Sequence, residues 1–206
     1  MSPKKLLHYD GLYGDLGGSK KESYIFLELI KTRSESFDWK INPHVHTHLY
    51  QVFCIESGNV QLETSRQIMA LKTPAIAVIP PGLLHGLQYS PAVKGQILTL
   101  SDTVFEQLFT AAPSMLLRFD DLKTISFIKQ KDEFSKIMQL VKQLHTELFN
   151  EKTEKKLLIT SLLQQFFIHI LRWSESPTAS VLPDTNQTLL YYRKFIQLVK
   201  ASKSPV

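Results

Sequence analysis

Cysteine is almost absent: Cys54 stands alone in 206 residues, inside the apolar run "YQVFCIES". A lone thiol forms no internal disulfide, so the chain is expected to be cytoplasmic, with Cys54 a buried, inert side chain. Long uninterrupted apolar stretches are missing as well. The most apolar segment, "LLITSLLQQFFIHILRW" from Leu157 to Trp173, is broken by Thr160, Ser161, Gln164, Gln165 and His169. It reads as a buried helix, and no membrane association is expected. At the amino terminus, "MSPKKLLHYDGLYGDLGG" has two lysines but no apolar run behind them, which excludes a secretory signal from the reading. A dense basic stripe is lacking too. The 24 Lys+Arg against 19 Asp+Glu give +5, a surplus that would suit an anionic ligand or nucleic acid but is too diffuse to establish either.

What is present divides into two periodicities. From Tyr24 to Leu100 the chain reads as short β runs, "YIFLELI", "YQVFCIES", "NVQLET", "AIAVIPP" and "GQILTL", punctuated by Gly, Pro, Asn and Ser. Strands at this spacing imply a sandwich or small barrel. From Asp102 the pattern turns helical, first over Asp102 to Ala112, then with Phe134, Ile137, Met138, Val141, Leu144 and Leu148 at helical spacing. Helices from about Lys131 to Asn150 and Thr153 to Ser174 should form an antiparallel hairpin. The second holds more apolar residues than one stripe can bury, so Leu163, Phe166, Phe167 and Ile170 are expected to form a dimer interface, with a central bundle helix as the alternative. The expected organisation is an amino-terminal flexible arm over 1–23, a barrel over 24–112, a helical dimerisation region over 113–176, and a linker with the start of a further helix over 177–206.

The densest cluster of chemistry is "PHVHTHLYQVFCIESG", residues 43–58. His44 and His46 alternate along an extended chain, so their imidazoles share a face, while His48 reads as a rim residue. Gln51, Gly58 and, downstream, Pro80-x-Gly82-x-x-His85 complete two blocks that resemble the paired motifs of the cupin superfamily. That resemblance implies a mainly β plus α fold, a cupin-like double-stranded β-helix or jelly-roll barrel followed by the helical hairpin. It also implies that His44, His46, Gln51 and His85 converge inside the barrel. Gln51 stands where metal-binding cupins have a glutamate. Three imidazoles alone can still hold zinc, nickel or iron, but a neutral amide favours a metal-free polar lining, so no cofactor is expected to be required.

The stretches from Pro43 to Glu63 and from Ala75 to Leu108 resemble, more narrowly, the sensor half of AraC-type transcriptional regulators, in the group of activators that answer to aromatic acids such as 4-hydroxybenzoate. The likeness implies an effector-binding and dimerisation domain, not an enzyme, that works as a homodimer and meets DNA only through a helix-turn-helix domain absent from this sequence. Strand alternation then puts Phe53 and Ile55 on the face of Gln51 and turns Val52 and Cys54 away. The ligand-binding set is accordingly His44, His46, Gln51, Phe53, Ile55 and His85, with an aromatic ring on Phe53 and Ile55 and a carboxylate or hydroxyl at the imidazoles. Tyr50, Tyr89 and Arg33 are secondary candidates at the mouth. Other readings are a small metal-dependent cupin enzyme, a dioxygenase or isomerase, and a sugar-binding cupin module.

Overall fold

A computed structural model describes residues 24–174, the backbone of Leu7–Tyr9, and Phe195. The expectations for the remainder of the arm, for the linker and for the final helix lie outside the described residues. The strands are β1 (Leu7–Tyr9), β2 (Ile25–Leu29), β3 (Lys40–His46), β4 (Leu49–Ser57), β5 (Val60–Thr64), β6 (Ile68–Leu71), β7 (Ala75–Ile79), β8 (His85–Tyr89), β9 (Lys94–Ser101) and β10 (Lys123–Ser126). The helices are α1 (Ile30–Glu35), α2 (Asp102–Leu108), α3 (Ser114–Leu117), α4 (Lys131–Leu148) and α5 (Lys155–Ser174). Two five-stranded sheets, ordered β1-β3-β8-β5-β6 and β10-β7-β4-β9-β2, face each other, and every pairing is antiparallel except that of β1 with β3. This is a double-stranded β-helix with a helical layer on its second sheet.

That second sheet explains the continuous apolar runs. Strands buried on one face alternate, whereas strands covered on both faces need apolar residues throughout. All five residues of β7 and the first seven of β4 are buried. Phe53, Ile55, Ala75, Ala77, Ile79 and Ile97 look into the barrel with Leu62 and Leu87 of the first sheet. Tyr50, Val52, Cys54, Ile76, Val78 and Leu98 look outward into a second core shared with the helices. β4 therefore carries the barrel interior on one face and the seat of the helices on the other.

Local chemistry sets the junctions. β9 ends where the Ser101 hydroxyl accepts a hydrogen bond from the Val104 amide and caps α2, so the cap is Ser101 and not Asp102. α2 stops at Leu108, short of the expected Ala112, and the chain continues through turns closed by Phe109 N–H to Glu106 and Ala112 N–H to Phe109. α4 opens with Asp132 and Glu133, whose charges suit a helix amino terminus, and packs with α5 as the expected hairpin. The segment expected to be helical over 113–176 also holds β10, which returns to pair with β7. Within the arm, Leu7–Tyr9 adds a strand alongside His44–His46.

The dimer assignment on α5 is corrected. Leu163, Phe166, Phe167 and Ile170 are at most 2% exposed and sit in the core between the helices and the second sheet. Two apolar surfaces, the sheet and α4, meet one helix and consume its surplus of large side chains. The apolar residues that α5 leaves exposed are Leu157, Leu158 and Trp173.

Candidate functional site

β3 does not run evenly against β8. Its register shifts between Ile41 and His44, around Pro43, which has no amide hydrogen to give to the ladder. Gly86 opposite leaves room, since a Cβ there would stand 3.0 Å from the Pro43 nitrogen. Beyond the shift His44 pairs with His85, and His44, Val45 and His46 are all buried. Gln51 comes from the other sheet, so the polar group spans the barrel interior.

The hydrogen bonds of this group fix its protons. Nδ1 of His44 lies 2.8 Å from the Asn42 carbonyl and Nδ1 of His85 lies 2.9 Å from the Leu83 carbonyl. A carbonyl only accepts, so both Nδ1 atoms carry hydrogen, and in a neutral ring both Nε2 atoms carry lone pairs. His44 Nε2 and His46 Nε2 are 3.0 Å apart, which makes His46 the donor. His85 Nε2 is 3.0 Å from the Gln51 Oε1 position. Two acceptors would face each other there, and turning the Gln51 amide end for end places its NH2 against the lone pair. Burial first, against the opposing pull of the Asn42 carbonyl, lowers the His44 pKa to about 4. Burial, then the neighbouring His44 charge, takes His85 well below its ordinary value. The His44 and His85 rings are neutral at pH 7.

A metal has a partial fit. The nitrogens of His44, His46 and His85 lie within 4.8 Å of one another, and Nδ1–H anchored on a carbonyl is how metal-binding histidines are held. The set suits a borderline ion such as zinc, nickel or iron(II) in preference to a hard one, but Gln51 supplies no charge to offset it. Hydrogen bonds join the group in two pairs, His44 with His46 and His85 with Gln51.

A family model for the AraC-like ligand binding domain matches residues 32–167. The chain belongs to that family. Among solved structures, this AraC-like ligand binding domain is similar to ToxT from Vibrio cholerae, at 12% identity over 84% of this chain and 65% of that one, TM-score 0.42. It is also similar to the AraC-like transcriptional activator CuxR, at 12% identity over 77% and 54%, TM-score 0.43. A double-stranded β-helix protein from Klebsiella pneumoniae matches at 24% identity over 31% and 54%, TM-score 0.28. The chain thus spans about half to two thirds of the length of these structures. No curated protein matches.

Inside the barrel of this AraC-like ligand binding domain lies a cavity of about 20 Å3, lined by Glu28, Arg33, Ile41, His44, Gln51, Phe53, Leu87, Tyr89 and Ile97. It has room for about one water molecule. His44, Gln51 and Phe53 reach it as expected, whereas Ile55 is packed in the apolar core away from the lining. His46 and His85 stand behind the wall as hydrogen-bond partners of His44 and Gln51. Tyr50 is not at the mouth: it stacks on Phe105 of α2, ring centroids 4.1 Å apart, on the opposite face of β4. His48 is at the surface, as the rim reading has it, paired with Asp102 at 2.9 Å.

Arg33 and Tyr89 do line the cavity, and Glu28 is the polar residue that sequence reasoning missed. Its signal was its place in "FLEL", a charge amid an apolar strand with Arg33 five residues later. Burial, then the Glu28 charge, pushes the Tyr89 pKa up and keeps its hydroxyl protonated. The Cys54 thiol, raised to about 12 by burial and then by Glu56, is inert. A second cavity, about 440 Å3, lies between α2–α3 and α5, where Phe109, Met115, Ile168 and Leu171 meet Arg118 and Arg172.

Proposed function

We propose that this domain is the effector-binding and dimerisation part of an AraC-type DNA-binding transcription regulator and senses a small aromatic or carboxylated molecule inside the barrel. One observation carries the reading: Glu28, Arg33, His44, Gln51 and Tyr89 line one cavity in an otherwise apolar interior, with His46 and His85 hydrogen-bonded behind His44 and Gln51. Folding does not need them there, since apolar residues of like volume pack a core at least as well. The cavity holds about one water as it stands, so an effector enters by moving side chains, and its binding energy shifts the population of barrel states. β4 offers the route outward, with Phe53 facing the cavity and Tyr50 facing Phe105. DNA reading is assigned to a helix-turn-helix domain outside this sequence.

The test is a thermal-shift screen of aromatic acids, repeated on Phe53→Ala and His85→Ala. A stabilising compound at a hundredfold excess over its Kd adds about 2.7 kcal/mol to the wild type, and both variants are expected to lose most of that gain. Full response in both variants would remove the barrel from consideration. The three-histidine cluster favours one other reading, a metal-dependent cupin dioxygenase or isomerase. Stoichiometric metal in untagged protein, together with oxygen uptake on catechol-like compounds, would establish it against the regulator; we assign the pocket no required metal.

Pairing is assigned to the exposed end of the hairpin, where Leu157, Leu158 and Phe149 are 67%, 47% and 69% exposed. Leu157→Lys with Leu158→Lys is expected to turn a dimer into a folded monomer in sedimentation. Phe166→Lys should instead unfold the chain, because it buries an unpaired charge. A wild type that is monomeric at high concentration would end the pairing proposal.

A further inference from the structure

Arg33 in the last turn of α1 reaches back to Glu28 on β2. Its Nε and Nη2 each lie 2.9 Å from the same carboxylate oxygen, Oε1. The two side chains are only 18% and 10% exposed, and both face the barrel cavity. A pair so far removed from water adds little to stability, since desolvation offsets much of the attraction. Beside it the Tyr89 hydroxyl is buried without a hydrogen-bond partner, on the wall of the same cavity. Buried hydroxyls are nearly always partnered, and one left over on a cavity wall marks a place for a ligand atom. The imidazoles offer the opposite character. With both Nδ1–H groups committed to backbone carbonyls, the Nε2 atoms of His44 and His85 are acceptors, met by His46 and by the Gln51 amide, and of the two rings His44 lines the cavity.

We propose that the Glu28 carboxylate is an internal stand-in for the carboxylate of the effector. A small organic acid enters the barrel by displacing Glu28 from Arg33, taking the guanidinium N–H groups and the Tyr89 hydroxyl as its donors. A hydroxyl on the same molecule is directed to the imidazole and amide cluster. This rests on the reading of the barrel as the effector site and reverses the orientation expected from sequence, in which the acid group met the imidazoles. Arg33 is thus the residue that sets specificity for an acid over its amide, and Glu28 sets the threshold for binding.

The test uses the whole chain, with acetate, benzoate and 4-hydroxybenzoate against acetamide, benzamide and 4-hydroxybenzamide at constant ionic strength. Glu28→Ala opens a carboxylate-sized space beside the Arg33 guanidinium. Its melting midpoint is expected to rise by several degrees with the acids and not with the amides, at affinities about tenfold or more above those of the wild type. Arg33→Gln is expected to lose the preference for acids over amides. Glu28→Gln, which keeps the volume, carries the same expectation if the alanine variant does not fold. Equal response of the Glu28 variants to acids and amides, or no response, overturns the exchange. If that failure is accompanied by a probe response that Phe53→Ala abolishes, the barrel remains the effector site. If the response survives Phe53→Ala and Arg33→Gln but is lost in Met115→Trp, the ligand sits in the cavity between α2–α3 and α5, and the barrel reading falls as well.

Discussion

Replacing Phe105 by alanine is expected to lower the free energy of unfolding by about 3–5 kcal/mol, a large share of the 5–15 kcal/mol that holds an ordinary domain together. Phe105 is fully buried in α2, where four rings surround it. It stacks on Tyr50 of β4 and meets Phe109, Phe119 and Phe167 edge-on, with ring centroids 5.5, 5.3 and 4.9 Å away. The loss combines the transfer of a large apolar side chain, the cavity left behind, and aromatic contacts worth about 0.5–1.5 kcal/mol each. Urea unfolding at pH 7 measures it. Ile68→Ala, at a position 66% exposed on β6, serves as the control and should stay within about 0.5 kcal/mol of the wild type. A change under 1 kcal/mol for Phe105→Ala would show that the helices are not held to the barrel through this cluster. The position matters for function because Tyr50 adjoins Gln51: one residue holds the helical layer and the next lines the cavity.

Sequence pattern reached the barrel because strand alternation and the two histidine-bearing motifs are local signals. Gln51 and Phe53 face inward, and Val52 and Cys54 outward, as alternation requires. The resemblance to the cupin motifs, not alternation, implied that His44, His46, Gln51 and His85 converge, and the fold brings them together although His85 and Gln51 come from different sheets. Pattern reading failed where burial depends on what a segment meets in space. The apolar excess of α5 reads as an unpartnered face, yet the outer face of β4, β7 and β9 receives it. Tyr50 resembles a pocket residue in sequence and is a packing residue in the fold. Glu28 and Arg33 were not legible as a pair because β2 and a short helix must first turn them toward one cavity. β3 and β8 were equally hard to see, since Pro43 and Gly86 interrupt the runs that would announce strands.

Acid should weaken the wild type more steeply than it weakens a variant lacking one buried imidazole. An unfolded histidine takes up its proton near pH 6.5, whereas folded His44 does so only at about 4 and burial likewise holds His85 well below its ordinary value. Above pH 6.5 both states are neutral there and stability is unaffected. Between 6.5 and 4 the unfolded chain binds more protons, so stability rises with pH across this window and is lost as pH falls. Each such histidine removes up to about 1.4 kcal/mol per pH unit, and His44 alone removes about 3 kcal/mol by pH 4. In His85→Gln this source of acid sensitivity is halved. The variant is expected to be about 1–3 kcal/mol less stable than the wild type at pH 7, where a buried hydrogen-bonding group is lost. The gap should close, or reverse, by pH 4.5. Urea unfolding of chelator-treated protein at pH 7, 5.5 and 4.5 compares the two, and carboxylates elsewhere in the fold, common to both chains, cancel in the difference. Parallel profiles would mean that folded His85 takes up its proton as readily as an unfolded histidine, so that in this pH window its Nε2 would donate to the Gln51 oxygen and the neutral, accepting state assigned to that ring would be lost.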